Sequence, residues 1–206
     1  MYGPGSHGPF APKWDSMSIS LLVLGIASFL FHASLRQTLQ FADELAMLGL
    51  AWSLLQGTLT IRQSPAKVKY ITIGLAIIFP LFSGFYVWTG KIIYHVIGFV
   101  TMIALIILRA CYLFYWLKPE FPEAKRYKWR AQGWKALFAL LLGHILWNTD
   151  LEFCAELREL RELVGLPWAW LFELHGWWHV LTAISASQFI DIVREMREEL
   201  SSEKED

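Results

Sequence analysis

Six long apolar stretches alternate with short polar connections along the chain, and each is close to the ~20 residues that a helix needs to cross a bilayer. They cover residues 17–35, 41–61, 70–89, 92–117, 133–149 and 168–190. The fifth stretch is short and His32 interrupts the end of the first, so these bounds are approximate. The pattern predicts an all-α integral membrane bundle with six transmembrane helices.

The composition is that of a membrane protein. Of the 206 residues, 55% are hydrophobic and 17% are charged, whereas soluble domains carry about 25% charged residues. We divide the chain into an irregular amino-terminal segment (1–16), a transmembrane domain (17–190) and a charged cytoplasmic tail (191–206). The first segment has neither the basic region nor the apolar core of a signal peptide. It runs abruptly into the first apolar stretch, which suggests a start created by truncation or alternative splicing.

Basic residues are distributed unequally between the two ends of the predicted helices. If the stretches alternate in direction, thirteen Lys and Arg lie on the side of both termini and four lie on the other side. The larger group is Lys13, Arg62, Lys67, Lys69, Lys118, Lys125, Arg126, Lys128, Arg130, Lys135, Arg194, Arg197 and Lys204. Basic loops are retained in the cytoplasm, so this bias places both termini there. Arg109 falls inside the fourth stretch and is expected to snorkel or to face the bundle.

Two histidines lie four residues apart in the most aromatic part of the last stretch, FELHGWWHVL. On a helix, the rings of His175 and His179 project from one face about one turn apart, where they can bind a single cation. A catalytic zinc site usually has three protein ligands and an open position for water. His32, His95 and His144 are the other histidines inside apolar stretches, so one of them is expected to complete such a site.

His32 lies near two further polar residues. Ser28 precedes it by one helical turn, and Asp43 follows a short polar connection that is expected to turn the chain back. Alternation of the helices places the end of the first stretch, the start of the second and the first half of the sixth on the same, non-cytoplasmic side. We therefore expect His32, Asp43, His175 and His179 to share one membrane depth.

Each of these residues has an ordinary structural explanation when it is taken alone. Two histidines at this spacing often form hydrogen bonds between helices, an aspartate at a segment boundary often caps a helix, and a serine in an apolar helix often packs or bonds to the backbone. A transporter or a structural membrane protein without bound zinc is therefore one alternative. The ordered combination favours a metal site.

Four sequence blocks resemble the alkaline ceramidase family, which includes alkaline dihydroceramidases and phytoceramidases. They are Ser28-x-x-x-His32, the DEL of Asp43–Leu45, WNTDLEFC at 147–154 and HGWWHVLTA at 175–183. The blocks occur in order over residues 21–190, which is most of the chain. The combination of the serine–histidine block, the following aspartate and the final histidine pair is highly specific.

The resemblance implies a seven-helix membrane amidase with an intramembrane zinc. His32, His175 and His179 match the family's three zinc-binding histidines, and Ser28 and Asp43 match its serine and aspartate beside the metal. Zinc lowers the pKa of bound water towards ~7 and polarises an amide carbonyl. Asp43 would pass a proton from water to the leaving amine, and Ser28 would stabilise the developing oxyanion. The implied substrate is a ceramide-type lipid within the bilayer, cleaved to a sphingoid base and a fatty acid.

The chain also departs from the family's pattern. Family members begin with an acidic segment that binds a structural calcium ion and with a first transmembrane helix, and neither is found in this sequence. We therefore expect six helices, and a catalytically impaired splice or truncated form is one alternative. A zinc-containing lipid-sensing membrane receptor is another. We expect residence in the endoplasmic reticulum or the Golgi and no nucleic-acid partner.

Overall fold

The computed structural model describes residues 14–202, and the ordered elements in that range are all helical. The helices are α1 (Ser16–Ser34), α2 (Gln37–Leu59), α3 (Pro65–Thr89), α4 (Ile92–Tyr115), α5 (Glu123–Glu152), α6 (Cys154–Val164) and α7 (Leu174–Ser202), with a 3₁₀ helix at Trp168–Phe172. The six long helices coincide with the six apolar stretches, which confirms the predicted all-α membrane bundle. The amino-terminal segment 1–16 lies mostly outside the described residues.

Three helices are long and apolar enough to cross a membrane within the described range: α1, α3 and α4. Few of their side chains are buried, as expected for helices that a bilayer covers. The other three long helices carry more polar and ionisable side chains, and α2 is largely buried instead. Whether α2, α5 and α7 also cross the bilayer, giving six spans in all, stays a prediction.

The chain divides into two compact units. Among the described residues, the first comprises residues 14–57 and Val68–Ile103. Within it α2 packs on α3: the indole of Trp52 donates a hydrogen bond to the carbonyl of Leu75 (3.1 Å) and its ring lies 5.4 Å from that of Phe79. Leu35 ends α1 in a left-handed conformation (φ 53°), and its N–H bonds to the Phe31 carbonyl (2.7 Å). This cap allows the chain to reverse into α2 after two residues.

Within the same described range, the second unit comprises Thr58–Lys67 and residues 104–202. Its main packing is between the antiparallel helices α5 and α7. Gly143 permits their close approach, because a Cβ at that position would lie 3.1 Å from the Trp178 ring and 3.3 Å from the Leu181 Cβ. Arg109 faces the protein, where it donates to the carbonyls of Thr58 (3.4 Å) and Ile61 (2.9 Å) at the end of α2.

Helices α5 and α7 both extend beyond their apolar stretches. Helix α5 begins ten residues before position 133, and α7 continues twelve residues beyond position 190. The extensions pair through charged side chains: Lys125 bonds to Glu199, and Glu195 accepts from Lys128 (2.6 Å) and from the Trp129 indole (2.8 Å). The described part of the charged tail is therefore a packed helix, with Ile192, Val193 and Met196 fully buried on one face.

The connection between α5 and α7 holds a short helix that the sequence analysis did not predict. Helix α6 has eleven residues and many charges, so a search for long apolar runs passes over it. Its apolar positions Leu157, Leu160 and Val164 nevertheless follow helical spacing and pack towards the 3₁₀ helix. The last apolar stretch accordingly begins with this 3₁₀ helix, and α7 itself begins at Leu174.

Candidate metal centre and catalytic residues

The first unit brings together three of the five predicted site residues. His32 lies in the last turn of α1, Ser28 lies one turn earlier, and Asp43 lies in the second turn of α2. The tight reversal at Leu35 places the start of α2 beside the end of α1. Ser28 and Asp43 are buried, whereas His32 is exposed.

Asp43 lies near both of the other residues in this group. Its carboxylate is close enough to Ser28 and His32 to interact with both. The oxygen Oδ1 of Asp43 is buried and has no hydrogen-bond partner among residues 14–202. Buried carboxylate oxygens normally have such partners, so this orphaned acceptor marks a place where a water or a substrate N–H can bind.

The second unit carries the other two predicted residues. His175 and His179 lie in the first two turns of α7, with ring centroids 4.8 Å apart and rings nearly perpendicular. One nitrogen of each ring lies within 4.8 Å of the other. Two nitrogen ligands of one tetrahedral zinc are about 3.3 Å apart, given Zn–N bonds of about 2.0–2.1 Å. The pair lies on one face of α7 and is close enough to contribute two ligands to one metal ion.

The remaining two intramembrane histidines have other surroundings. His95 is buried in the first unit, where its Nε2 lies 3.1 Å from the carbonyl oxygen of Glu44 and its ring stacks on Phe99. His144 is exposed in the second unit and lies 3.1 Å from the side-chain amide of Asn148. Both have structural contacts, so we do not include them in the site.

Glu44, a buried acidic residue next to Asp43, was not predicted from the sequence to be functional. The Glu44 carboxylate accepts hydrogen bonds from the Tyr86 hydroxyl and from the Gln40 amide (3.0 Å). Together with the His95 contact to the Glu44 carbonyl, these bonds join α2, α3 and α4 in what we call the Glu44 cluster: Gln40, Glu44, Tyr86 and His95. A signal for Glu44 exists in the sequence, because an ionisable residue inside an apolar stretch is costly in lipid and is therefore a functional candidate.

Comparison with known proteins identifies the family of the chain. A sequence model of the Ceramidase family matches residues 8–206, nearly the whole chain.

The chain belongs to the ceramidase family.

Two alkaline ceramidases are similar in sequence to the chain. The chain is 26% identical over 175 residues to alkaline ceramidase 3 of Mus musculus, covering 84% of this chain and 62% of that protein. It is 29% identical over 190 residues to alkaline ceramidase YPC1 of Saccharomyces cerevisiae, covering 85% of this chain and 59% of that protein. This ceramidase-family chain thus spans about 60% of the length of the relatives that it matches. The resemblance drawn from the four motifs is confirmed.

Proposed function

We propose that this ceramidase-family chain is a zinc-dependent membrane amidase that hydrolyses the amide bond of a ceramide-type lipid. The observation that carries the proposal is the proximity of Ser28 and His32 to the buried carboxylate of Asp43. These are the first-unit residues that match the family's motif, and they come from two helices. Both relatives named above are alkaline ceramidases, which supports the same reaction.

The proposed metal ligands are His32, His175 and His179. Three neutral imidazoles with an open fourth position are a typical donor set for catalytic zinc, and the His175–His179 pair has a suitable separation. When bound there, zinc would polarise the amide carbonyl and acidify the attacking water. Calcium, which the family resemblance also suggests, is not part of this proposal.

Asp43 is the proposed general base and acid. Its orphaned Oδ1 accepts a proton from the attacking water, whose oxygen bonds to the amide carbon. The same carboxyl then donates that proton to the amide nitrogen as the C–N bond breaks, which releases a fatty acid and a sphingoid amine. Burial of Asp43 excludes bulk water that would otherwise take the proton.

Ser28 has two possible assignments that an experiment separates. Its hydroxyl has one proton, and donation of that proton to the nearby Asp43 carboxylate would orient the base. Donation to the developing oxyanion, which the family resemblance implies, would use the same proton and would require the hydroxyl to turn away from Asp43. A Ser28→Ala variant with an altered pH–rate profile indicates the first role, whereas an unchanged profile with a lower kcat indicates the second.

The Glu44 cluster is the proposed support of the base. The cluster attaches one turn of α2, the turn that contains Asp43, to α3 and α4. Loosening the cluster is therefore expected to displace the Asp43 carboxylate while the metal ligands stay in place. We expect Tyr86→Phe to lower kcat while KM and bound zinc stay near the wild-type values. A change in KM alone contradicts this positioning role.

The proposed function is tested by measuring zinc content and fatty acid release on the purified full chain in lipid nanodiscs. The variants are His179→Ala and Asp43→Asn, with His144→Ala and the exposed Asp191→Asn as matched controls. We expect about one zinc per wild-type chain, loss of zinc and turnover in His179→Ala, and loss of turnover with retained zinc in Asp43→Asn. The controls should keep both properties.

The other outcomes refute specific parts of the proposal. A folded wild-type chain without zinc refutes the metal centre. Zinc and lipid binding without fatty acid release refutes the amidase activity of this chain and favours the sensing alternative. Residence in the endoplasmic reticulum or Golgi, with a cytoplasmic carboxyl terminus, stays a prediction.

A further inference from the structure

An unusually apolar loop follows helix α6 in the second unit. Residues 165–172, GLPWAWLF, contain no charged side chain, and we call this segment the apolar loop. Leu166 is 89% exposed, and Trp168 and Trp170 are 61% and 51% exposed. At about 25 cal/mol per Å² of apolar surface, leaving these side chains in water is costly.

Polar contacts hold the ends of the apolar loop together. Arg161 bonds to the carbonyl of Phe172 (3.0 Å) and pairs with Glu173 (3.3 Å), so the two ends of the loop are held together. The indole of Trp177 donates to the Leu171 carbonyl (3.2 Å). These contacts hold the backbone of the loop in place while its apolar side chains stay exposed.

A second exposed apolar surface lies along α5 in the same unit. Trp134, Phe138, Leu141 and Ile145 are all exposed and follow a spacing of four, three and four residues, which places them on one face of the helix. Leu151 and Phe153, close to the start of α6 in the chain, are also exposed. A bilayer is the environment that covers such a stripe in a membrane protein.

The apolar loop is too short to cross the bilayer, since a spanning helix needs ~20 residues. It combines leucines with tryptophans, and tryptophan is enriched at membrane interfaces. The preceding helix α6 is amphipathic, with Glu156, Arg158, Glu159 and Glu162 exposed on its polar side. This combination matches segments that lie in the plane of the interface with their apolar side in the acyl chains.

We propose that α6 and the apolar loop form an interfacial membrane anchor, with the loop inserted below the headgroups and the charged face of α6 in water. The occupant of this surface is the lipid bilayer. Because the loop carries no charge, its insertion does not depend on anionic lipid. The ring of Trp170 lies 5.2 Å from that of Trp177 in the first turn of α7, so the anchor sets the depth of the helix turn that carries His175. The inference does not depend on the proposed amidase activity.

The test is nitroxide accessibility in the full chain, reconstituted in phosphatidylcholine vesicles. Both native cysteines are free, and Cys111→Ala with Cys154→Ala gives a background without reactive thiols. Spin labels are attached at Leu166→Cys and Trp168→Cys, with Glu159→Cys on the polar side of α6 as the matched control. These side chains are exposed, so labelling removes no core contact.

We expect the two loop labels to collide several-fold more with oxygen than with a water-soluble nickel complex, at a depth of ~5–10 Å below the phosphates. The Glu159→Cys label should show the reverse preference. Adding anionic phosphatidylserine should not change the depth of the loop labels. Equal exposure of loop and control labels to the nickel complex overturns the proposal in favour of an aqueous loop. Protection of the loop labels from both reagents overturns it in favour of a protein occupant.

Discussion

Removing the Tyr86 hydroxyl takes away one of the two side-chain donors that the Glu44 carboxylate has within residues 14–202. Tyr86 is 1% exposed and Glu44 is 8% exposed, so water cannot replace the hydroxyl without opening the packing. Such bonds to charged groups contribute about 1.5–3 kcal/mol. We expect Tyr86→Phe to lower the free energy of unfolding by about 2 kcal/mol.

A double-mutant cycle isolates this interaction. Glu44→Met leaves the Tyr86 hydroxyl without its acceptor, whereas the exposed Gln40 can bond to water instead. Replacing both members of a buried hydrogen bond by apolar groups of similar shape is often nearly neutral. The double variant Tyr86→Phe/Glu44→Met should therefore be more stable than the sum of the single losses predicts, by about 1–2 kcal/mol.

The assay is unfolding of the detergent-solubilised chain in increasing SDS, followed by circular dichroism. Tyr94→Phe is the matched control, because Tyr94 packs on Phe85 (4.8 Å between ring centroids) in the same unit. Its coupling to Glu44→Met should be below about 0.5 kcal/mol. If the Tyr86 cycle gives no more coupling than the Tyr94 cycle, the Glu44 cluster does not stabilise the fold in the way that we describe.

Three further predictions concern stability. Gly143→Leu should lower the unfolding midpoint through a loss of about 1–3 kcal/mol, because the new side chain overlaps the Trp178 ring; Gly74→Ala, with open space around it, should not. Burial raises the pKa of Glu195, but hydrogen bonds from Lys128 and Trp129 outweigh it and hold the pKa below its usual value. The stabilising effect of the Glu195 carboxylate is therefore present above its unfolded-state pKa and is lost as the pH falls through its lower folded-state pKa. Glu195→Gln should accordingly flatten the loss of stability on acidification below about pH 4.5. Leu35→Gly should raise the unfolding midpoint slightly, because the left-handed conformation costs leucine roughly 1 kcal/mol and the side chain is exposed.

The apolar pattern predicted the helices well and their ends less well. A search for apolar runs stops at the first charges, and so it missed the extensions of α5 and α7. Those charges pair across the two helices, as Lys128 and Glu195 do, which is a tertiary effect that no single segment reveals. Helix α6 was missed for a related reason, because its stability depends on packing against a neighbouring segment.

The candidate site was predictable where it is local in sequence. Ser28 and His32 share a helix face, and Asp43 follows one tight turn, so spacing alone grouped them. The Glu44 cluster was not predictable in this way, because Tyr86 and His95 lie 42 and 51 residues further along the chain. Their approach depends on how α2, α3 and α4 pack, which the apolar pattern does not specify.

The two adjacent acidic residues on α2 differ in hydrogen bonding, and this difference is the basis for the different roles that we propose for them. Neighbours on a helix point about 100° apart, so Asp43 and Glu44 face different surroundings although they share one depth. Both oxygens of Glu44 are occupied by donors from Gln40 and Tyr86, and a carboxylate held in this way is a poor proton shuttle. Asp43 keeps Oδ1 without a partner in the described chain. This difference supports Asp43 as the base and Glu44 as its anchor, and exchanging the two residues should therefore abolish turnover even though the charge of α2 is unchanged.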